Sequence, residues 1–395
     1  MRLLHNVRVL DLGGFITGPY TAALLAEFGA DVIKVERPKG GDPFRALRSD
    51  LYSPQFQAHN KNKRSICLEY TKRDGLAVLD KLIVSADVLV LNNRPGASEK
   101  LGLGYDRLHS INPKLIYCSI TGFGSNGPYA LRPAFDHVGQ ALSGWLSRHR
   151  KDDDPRVFGP VIADRVTSYY ATIGILAALR ERDCSGKGRF VETNMLEATI
   201  AFTMEPIAQY FSSKQPIPLH LRGGFSQAYT VTCKDGKRIG LHLSSPDKFW
   251  VALCRAIDRE VWLDRYPQHS DRVCHYEELA AEIGQIFKKR TRQEWSARLE
   301  REGVPFAPER EIEEIEQDPQ VQHLGVFHEI EHPKFGKLKA AHRPVLVDSD
   351  RSIDFRPPPA LGEHNEEILR EIGLLPKEIT RLLDHDIVWN SSLRS

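Results

Sequence analysis

The sequence predicts an α/β protein: a Rossmann-like parallel sheet in a large domain, with a smaller α+β domain beside it. Three observations carry this expectation. Short apolar runs alternate with segments of helical spacing through the first half of the chain, the pattern of strands crossed over by helices. An Asp235-Gly236 hairpin signal then opens a stretch of different character. Finally, the 395 residues, 41% apolar and 27% charged, fit two or three ordinary globular domains.

Taken in order, residues 7–12 (VRVLDL) form a strand, broken by Gly13 and Gly14. Pro19 suits a first helical turn, and residues 21–28 continue that helix to Gly29. Strands follow at 32–35, 65–68, 87–91, 115–119 and 189–193, with a helix at 75–85. A long helix spans about 165–182. Its Val166, Tyr169, Tyr170, Ile173, Leu176 and Ala177 form a 3.6-residue stripe, expected to be core. A further helix covers 196–211, then a Ser-, Pro- and Gly-rich loop runs from 212 to 224. Strands 229–233 and 238–243 flank the hairpin turn. Helices at 247–257, 276–289 and 292–302 follow, the last started by a Thr291/Glu294 capping box. Strands at 327–332 and 337–341, a rigid Pro357–Pro359 spacer and a last helix near 365–373 close the chain. The expected domains are 1–212, 225–328, and a C-terminal segment 329–395 that returns to the first.

Composition narrows the function. Lys plus Arg number 54 against 52 Asp plus Glu, so no bulk positive field draws the chain to nucleic acid or an anionic membrane. Any phosphate must be held locally. The six cysteines are scattered with no CxxC, which points to a reducing cytoplasm rather than a disulfide framework or a zinc site. Charge interrupts the opening apolar residues too early for a signal peptide, and no run approaches the ~18 apolar residues of a membrane helix. His328-Glu329-Ile330-Glu331-His332 matches HExxH, but Gly325 and Pro333 bracket it. On a strand its two histidines lie ~13 Å apart, too far for one ion, and no metal is expected.

Several groups could carry chemistry. Gly13, Gly14 and Gly18 do not make GxGxxG, so the first βαβ unit is not a standard dinucleotide site. It is a tight turn, or a helix N-terminus open to an anion. Arg37, Lys39, Arg45, Arg48 and the HNKNKR run at 59–64 form a solvated face or a local phosphate site. Asn92, Asn93 and Arg94 close a strand at the end where open sheets bind ligands. Asp164 stands just before the long helix. It is an N-cap, or a covalent nucleophile; the two roles compete for the same oxygens.

The chain resembles the family III CoA-transferases, a group that also contains the formyl-CoA and carnitine CoA-transferases and the alpha-methylacyl-CoA racemases. The likeness spans almost the whole sequence. It rests on Gly18-Pro19 with residues 28–36 (FGADVIKVE), Asn62–Ser65 (NKRS), Asn93–Gly96 (NRPG), Arg132–Asp136 (RPAFD), and Asp164 followed by 173–179 (IGILAAL). It closes with Asp318-Pro319 and Leu361–His364 (LGEH). The resemblance implies that Asp164 is the nucleophile and that coenzyme A, as acyl-CoA, is a substrate rather than a tightly bound cofactor. It places Ile16, Arg37, Leu68, Lys72, Asn92, Asn93, Lys100, Arg132, Phe135 and Asp136 around the CoA, and Gly223 and Gly224 in a loop near the oxyanions. Lys72 is one place off the family position, and Asn93 stands where an aromatic is common. A small carboxylic acid would be the second substrate, and two ring-like subunits would interlock as a homodimer.

Racemases of this group carry a His before the Asp of the RPAFD segment and a Glu after the hairpin. Here those positions hold Phe135 and Ser245, neither of which titrates near pH 7. His137 is two residues along and points to another helix face. CoA transfer is therefore expected over racemisation, and over a CoA-binding role without catalysis. Ile16 replaces the Gln of the formyl-CoA branch, which suits an acid larger or less polar than oxalate.

Overall fold

The computed structural model describes residues 3–38, 40–149, 154–157, 159–351 and 355–389. Lys39, among the cations noted above, lies outside the described residues. The chain divides into two compact units, Met1–Met204 with Gly325–Ser395, and Glu205–Leu324.

The first unit is built on a six-stranded parallel sheet. Its strands are β1 (Arg8–Asp11), β2 (Asp31–Glu36), β3 (Lys63–Cys67), β4 (Val88–Leu91), β5 (Ile116–Thr121) and β6 (Phe190–Asn194). Their order, β3-β2-β1-β4-β5-β6, puts a topological switch point between β1 and β4, where a crevice opens at the strands' carboxyl ends. Alternate residues face opposite sides. Val9, Val32, Val88, Val90 and Ile116 meet helices Thr17–Glu27 and Ala163–Ser185. Leu10, Ile33, Ile66 and Leu89 meet helix Arg73–Val84 and the C-terminal helices Asn365–Glu371 and Pro376–Asp384. The last of these extends beyond the final helix expected from the sequence; Pro376 at its first position and Glu378 two further on start it. The C-terminal segment also supplies the hairpin β10–β11 (Phe327–His332, Gly336–Ala341), so the HExxH segment is a strand and lacks the helix that motif requires.

The expected core stripe of the long helix is corrected in part. Tyr169, Tyr170 and Ile173 are 46%, 42% and 61% exposed, whereas Thr167, Ser168, Ala171, Thr172, Ile175 and Ala178 are buried. Small residues allow close approach to helix Thr17–Glu27; of the expected stripe Val166 is buried and Leu176 packs on the core, while both tyrosines and Ile173 are left outside. The cation run is corrected as well. Arg45 is fully buried on Glu36 at 2.7 Å, and Lys63 is buried on Asp11 at 2.8 Å. Arg64 pairs with Asp31, Glu367 and Glu371. These side chains neutralise internal carboxylates and are spent before any phosphate arrives.

The second unit has an antiparallel sheet of β7 (Ala228–Thr232), β8 (Arg238–His242) and the short β9 (Phe306–Pro308), the last not foreseen. Helices Pro246–Ala256, Tyr276–Phe287 and Arg292–Glu302 surround a core containing Trp250 and Trp295. Both arms of the Thr291/Glu294 capping box form.

Candidate functional site

At the switch point, a pocket of about 210 Å³ is lined from both sides. The β1 turn gives Phe15, Ile16 and Thr17; the end of β4 gives Asn92, Asn93, Arg94 and Pro95. The segment after β5 gives Gly122, Ala130, Arg132, Ala134 and Phe135, and Asp164 and Met195 complete the wall. Five of the residues implied by the resemblance thus meet around Asp164: Ile16, Asn92, Asn93, Arg132 and Phe135.

The β1 turn is shaped by close approach. A Cβ on Gly13 would stand 2.9 Å from Gly18 Cα, so neither position tolerates a side chain. Asn92 then clamps the loop. Its Oδ1 accepts from Gly14 N–H at 3.0 Å, and its Nδ2 donates to Gly14 O at 2.7 Å and Thr17 Oγ1 at 2.9 Å. With its amide so committed, Asn92 is a positioning residue of the wall. Asn93 Nδ2 donates to Ser98 Oγ at 3.2 Å.

Asp164 does not cap its helix. The N-cap is Ile162, Asp164 is the second helical residue, and its carboxylate accepts no hydrogen bond among the described residues. Its backbone N–H, which the helix cannot satisfy, donates instead to Asp136 Oδ1 at 3.1 Å. Asp136, itself braced by Gln140 Nε2, therefore caps a helix other than its own. Ser168 Oγ donates to Asp164 O and to Thr17 O, locking the two helix starts together. The nucleophile candidate is thus held by its backbone while its side chain stays unengaged. Burial, reinforced by the charge of Asp136 and opposed by Arg165, pushes the Asp164 carboxyl up to about 7. A carboxylate so placed is partly stripped of water and unusually basic, properties that favour nucleophilic attack.

The remaining residues lie elsewhere on the unit. Arg37 directly follows β2, and Leu68 directly follows β3, so both sit at the carboxyl edge. Arg37 is 54% exposed on its side chain and lies 3.7 Å from Glu69, a weak surface pair that leaves the guanidinium available. Leu68 is buried and bridges Val388. Lys72 is the exposed N-cap of helix Arg73–Val84, and Lys100 ends the short helix Ala97–Lys100. His137, helical and turned from Phe135, is not part of the lining. Gly223 and Gly224 belong to the second unit. They lie in helix Leu221–Ser226 rather than an open loop, because Tyr276 packs on them: a Cβ at Gly223 would meet its hydroxyl at 2.8 Å.

Comparison with known proteins agrees with this architecture. The model of CoA-transferase family III matches residues 4–365. The chain is 30% identical over 380 residues to mouse succinyl-CoA:glutarate CoA-transferase, covering 94% of this chain and 87% of that protein. It is 30% identical over 399 residues to (R)-2-hydroxy-4-methylpentanoate CoA-transferase of Clostridioides difficile, covering 98% and 99%. A crystal structure of a CAIB/BAIF family protein from Brucella suis superposes with a TM-score of 0.81 at 28% identity, over 93% of this chain and 99% of that one. With a family model across nearly its whole length, relatives named for CoA transfer and a ligand crevice at the expected edge, the chain belongs to CoA-transferase family III and is an enzyme that transfers CoA.

Proposed function

We propose that this enzyme moves CoA from an acyl-CoA thioester to a free carboxylic acid by covalent catalysis on Asp164. The observation that carries the reading is a pocket in which Asp164 is the sole carboxylate among the described lining residues, its oxygens unengaged and its backbone fixed by Asp136. A carboxylate oxygen of Asp164 attacks the donor carbonyl; the C–S bond breaks and CoA leaves as thiolate, giving a mixed anhydride. The thiolate attacks the aspartyl carbonyl, releasing the donor acid and forming an aspartyl-CoA thioester. The acceptor carboxylate attacks that thioester and expels CoA thiolate, which then takes the new acyl group and regenerates Asp164. No net proton moves. Each return step is effectively intramolecular while the nucleotide stays bound. The positive end of the helix Ala163–Ser185 dipole, in whose first turn Asp164 stands, would favour the developing oxyanion.

The CoA would run along the carboxyl edge. Arg37, Lys72 and Lys100 serve its phosphates and Asn93 flanks the arm, whereas Leu68, fully buried in the core, has no surface to offer it. Arg132, which pairs with no carboxylate among the described residues, stands nearer the thioester. Arg37→Ala should raise the acyl-CoA KM about three- to tenfold with little change in kcat, as steady-state kinetics will show. The raised Asp164 carboxyl sets the pH dependence: kcat/KM should climb with pH around 7 as the carboxylate ionises, then level off. Asp136→Asn keeps an acceptor for the Asp164 N–H but removes the like charge, so the midpoint should move down while kcat falls less than about tenfold. An unchanged midpoint would assign the shift to burial alone.

Racemisation needs acid–base groups on both faces of an α-carbon. The lining offers Asp164 and no histidine, so exchange of the α-hydrogen for solvent deuterium without an acceptor acid should be absent. The relatives' names span a dicarboxylate and a branched hydroxy acid, so likeness alone does not choose the acid. A homodimer is also proposed. Tyr169, Tyr170, Ile173 and Phe202 bound an apolar cavity of about 540 Å³ on the outer face of the long helix, a surface a second copy would cover. Light scattering should return twice the 44.7 kDa chain mass.

A further inference from the structure

We infer that the free acid selected by this site is an aromatic carboxylic acid, its ring seated against Phe135 and Phe15 while its carboxylate meets the acyl group on Asp164. This rests on the transfer reading above and adds the substrate class. Phe135 and Phe15 are 58% and 40% exposed, yet both line the pocket that holds Asp164. Their ring centroids are 5.7 Å apart at 87°, and Phe44 backs Phe15 at 5.5 Å and 86°. Such edge-to-face pairs leave ring faces and edges open to a third ring in the same geometry.

Three features place this wall at the reacting end. Phe135 directly precedes Asp136, whose carboxylate touches the backbone of Asp164. Phe15 has φ 62°, a left-handed conformation rare for a bulky residue, held by the Asn92 clamp on Gly14 and by Asp42 beside its N–H. Backbone strain of this kind is maintained where the side chain's direction matters. Beside it, Ile16 and Ala134 extend the apolar surface. Two cations, Arg94 and Arg132, line the same pocket and can meet a carboxylate, so the apolar wall and not a lack of charge is what selects the ring. The guanidinium of Arg132 lies 3.9 Å over Tyr129, and that of Arg165 lies 3.8 Å over Tyr20. Arg94 stands with Asn92 and Asn93 on the strand side.

The test is exchange between an acyl-CoA and its own isotopically labelled acid, which needs no separate acceptor. The pairs are 3-phenylpropanoyl-CoA with 3-phenylpropanoate, glutaryl-CoA with glutarate, and acetyl-CoA with acetate. The aryl pair should exchange with a kcat/KM at least about tenfold above the other two. Phe135→Ala should remove most of that preference, and Phe135→Arg should turn it toward glutarate, with Phe15→Leu intermediate. Glutarate or acetate exchanging fastest, or Phe135→Ala leaving the ratio unchanged, would overturn the aromatic assignment while transfer on Asp164 stands. No exchange with any pair by the folded enzyme would overturn both.

Discussion

Asp164→Ala is expected to lower CoA transfer by at least about 10⁴-fold in kcat, the scale of losing a covalent nucleophile. The same change should abolish trapping: incubation of the parent enzyme with acyl-CoA and hydroxylamine should mark Asp164 as a hydroxamate, visible as a mass shift on its peptide. Loss of activity through misfolding can be separated from loss of the nucleophile. The folded-state carboxyl titrates near 7, above the ordinary value of 3.8. Its ionised form therefore opposes folding, and the parent loses stability as pH rises from about 4 to 7. Asp164→Asn escapes that penalty and should be more stable than the parent at pH 8, by about 1–3 kcal/mol after allowing for partial exposure. A variant that is inactive yet more stable fits a group placed for chemistry at the expense of the fold. Full CoA exchange by Asp164→Ala would remove the basis of the mechanism.

The residues that sequence reasoning placed well are those whose signal is local. Apolar runs mark the central strands β1, β2, β4 and β5 to within a few residues, because strands buried on both faces need such runs, whereas the edge strands β3 (KRSIC) and β6 (FVETN) carry polar residues. Asp164 draws notice as an acidic residue at a helix start within the family likeness, although it lies in the first turn and not before it. What was not legible depends on partners distant in sequence. Lys63 reads as part of a basic run until Asp11, 52 residues earlier, is seen to neutralise it. Asn92 reads as a ligand contact until Gly14, 78 residues earlier, is seen to consume its amide. Asp136 has an ambiguous acidic side chain until helix Ala163–Ser185 presents an unpaired N–H to it. Periodicity revealed a stripe on that same helix and placed Val166 and Leu176 rightly, but it drew Tyr169, Tyr170 and Ile173 inward in place of Ala171 and Ser168. Close helix contact rewards small side chains there.

The second large effect is expected at Asp11→Ala, beneath the site rather than in it. Asp11, Lys34 and Lys63 are all fully buried. Asp11 Oδ2 lies 2.8 Å from Lys63 Nζ and 3.4 Å from Lys34 Nζ, while its Oδ1 accepts from Gly13 N–H at 3.0 Å. Lys63 also donates to Pro19 O and Asn60 Oδ1, and Lys34 to Gly13 O, with Asp42 3.0 Å away. The network therefore ties both ends of the Gly13–Pro19 turn that builds the pocket wall. Desolvation works against every charge in it, but the two lysines respond differently. Lys34 has both Asp11 and Asp42 beside it, and its ammonium is held above the ordinary range. Lys63 pairs directly with Asp11 only, feels the like charge of Lys34 with Asp42 further off, and is pushed down to about 8 by burial. Removing Asp11 strands the Lys63 ammonium and leaves Lys34 with Asp42 alone, and should cost about 3–5 kcal/mol. Urea denaturation should show this, and hydrogen exchange should quicken at the β1 amides. Asp11→Asn, which keeps the acceptor for Gly13 N–H, should fall between. The signs with pH differ as well. The Asp11 contribution is present above its unfolded value and is lost as acid titrates it through its lowered folded value. Lys63 binds its proton less tightly folded than unfolded, so its share of the parent's stability should rise from about pH 8 toward 10. Loss of CoA transfer should accompany Asp11→Ala even where the sheet survives, because Phe15 and Ile16 are aimed by the turn this charge holds. A variant within about 1 kcal/mol of the parent, with unaltered transfer, would show that Lys34 and Lys63 find other partners and that the turn stands without them.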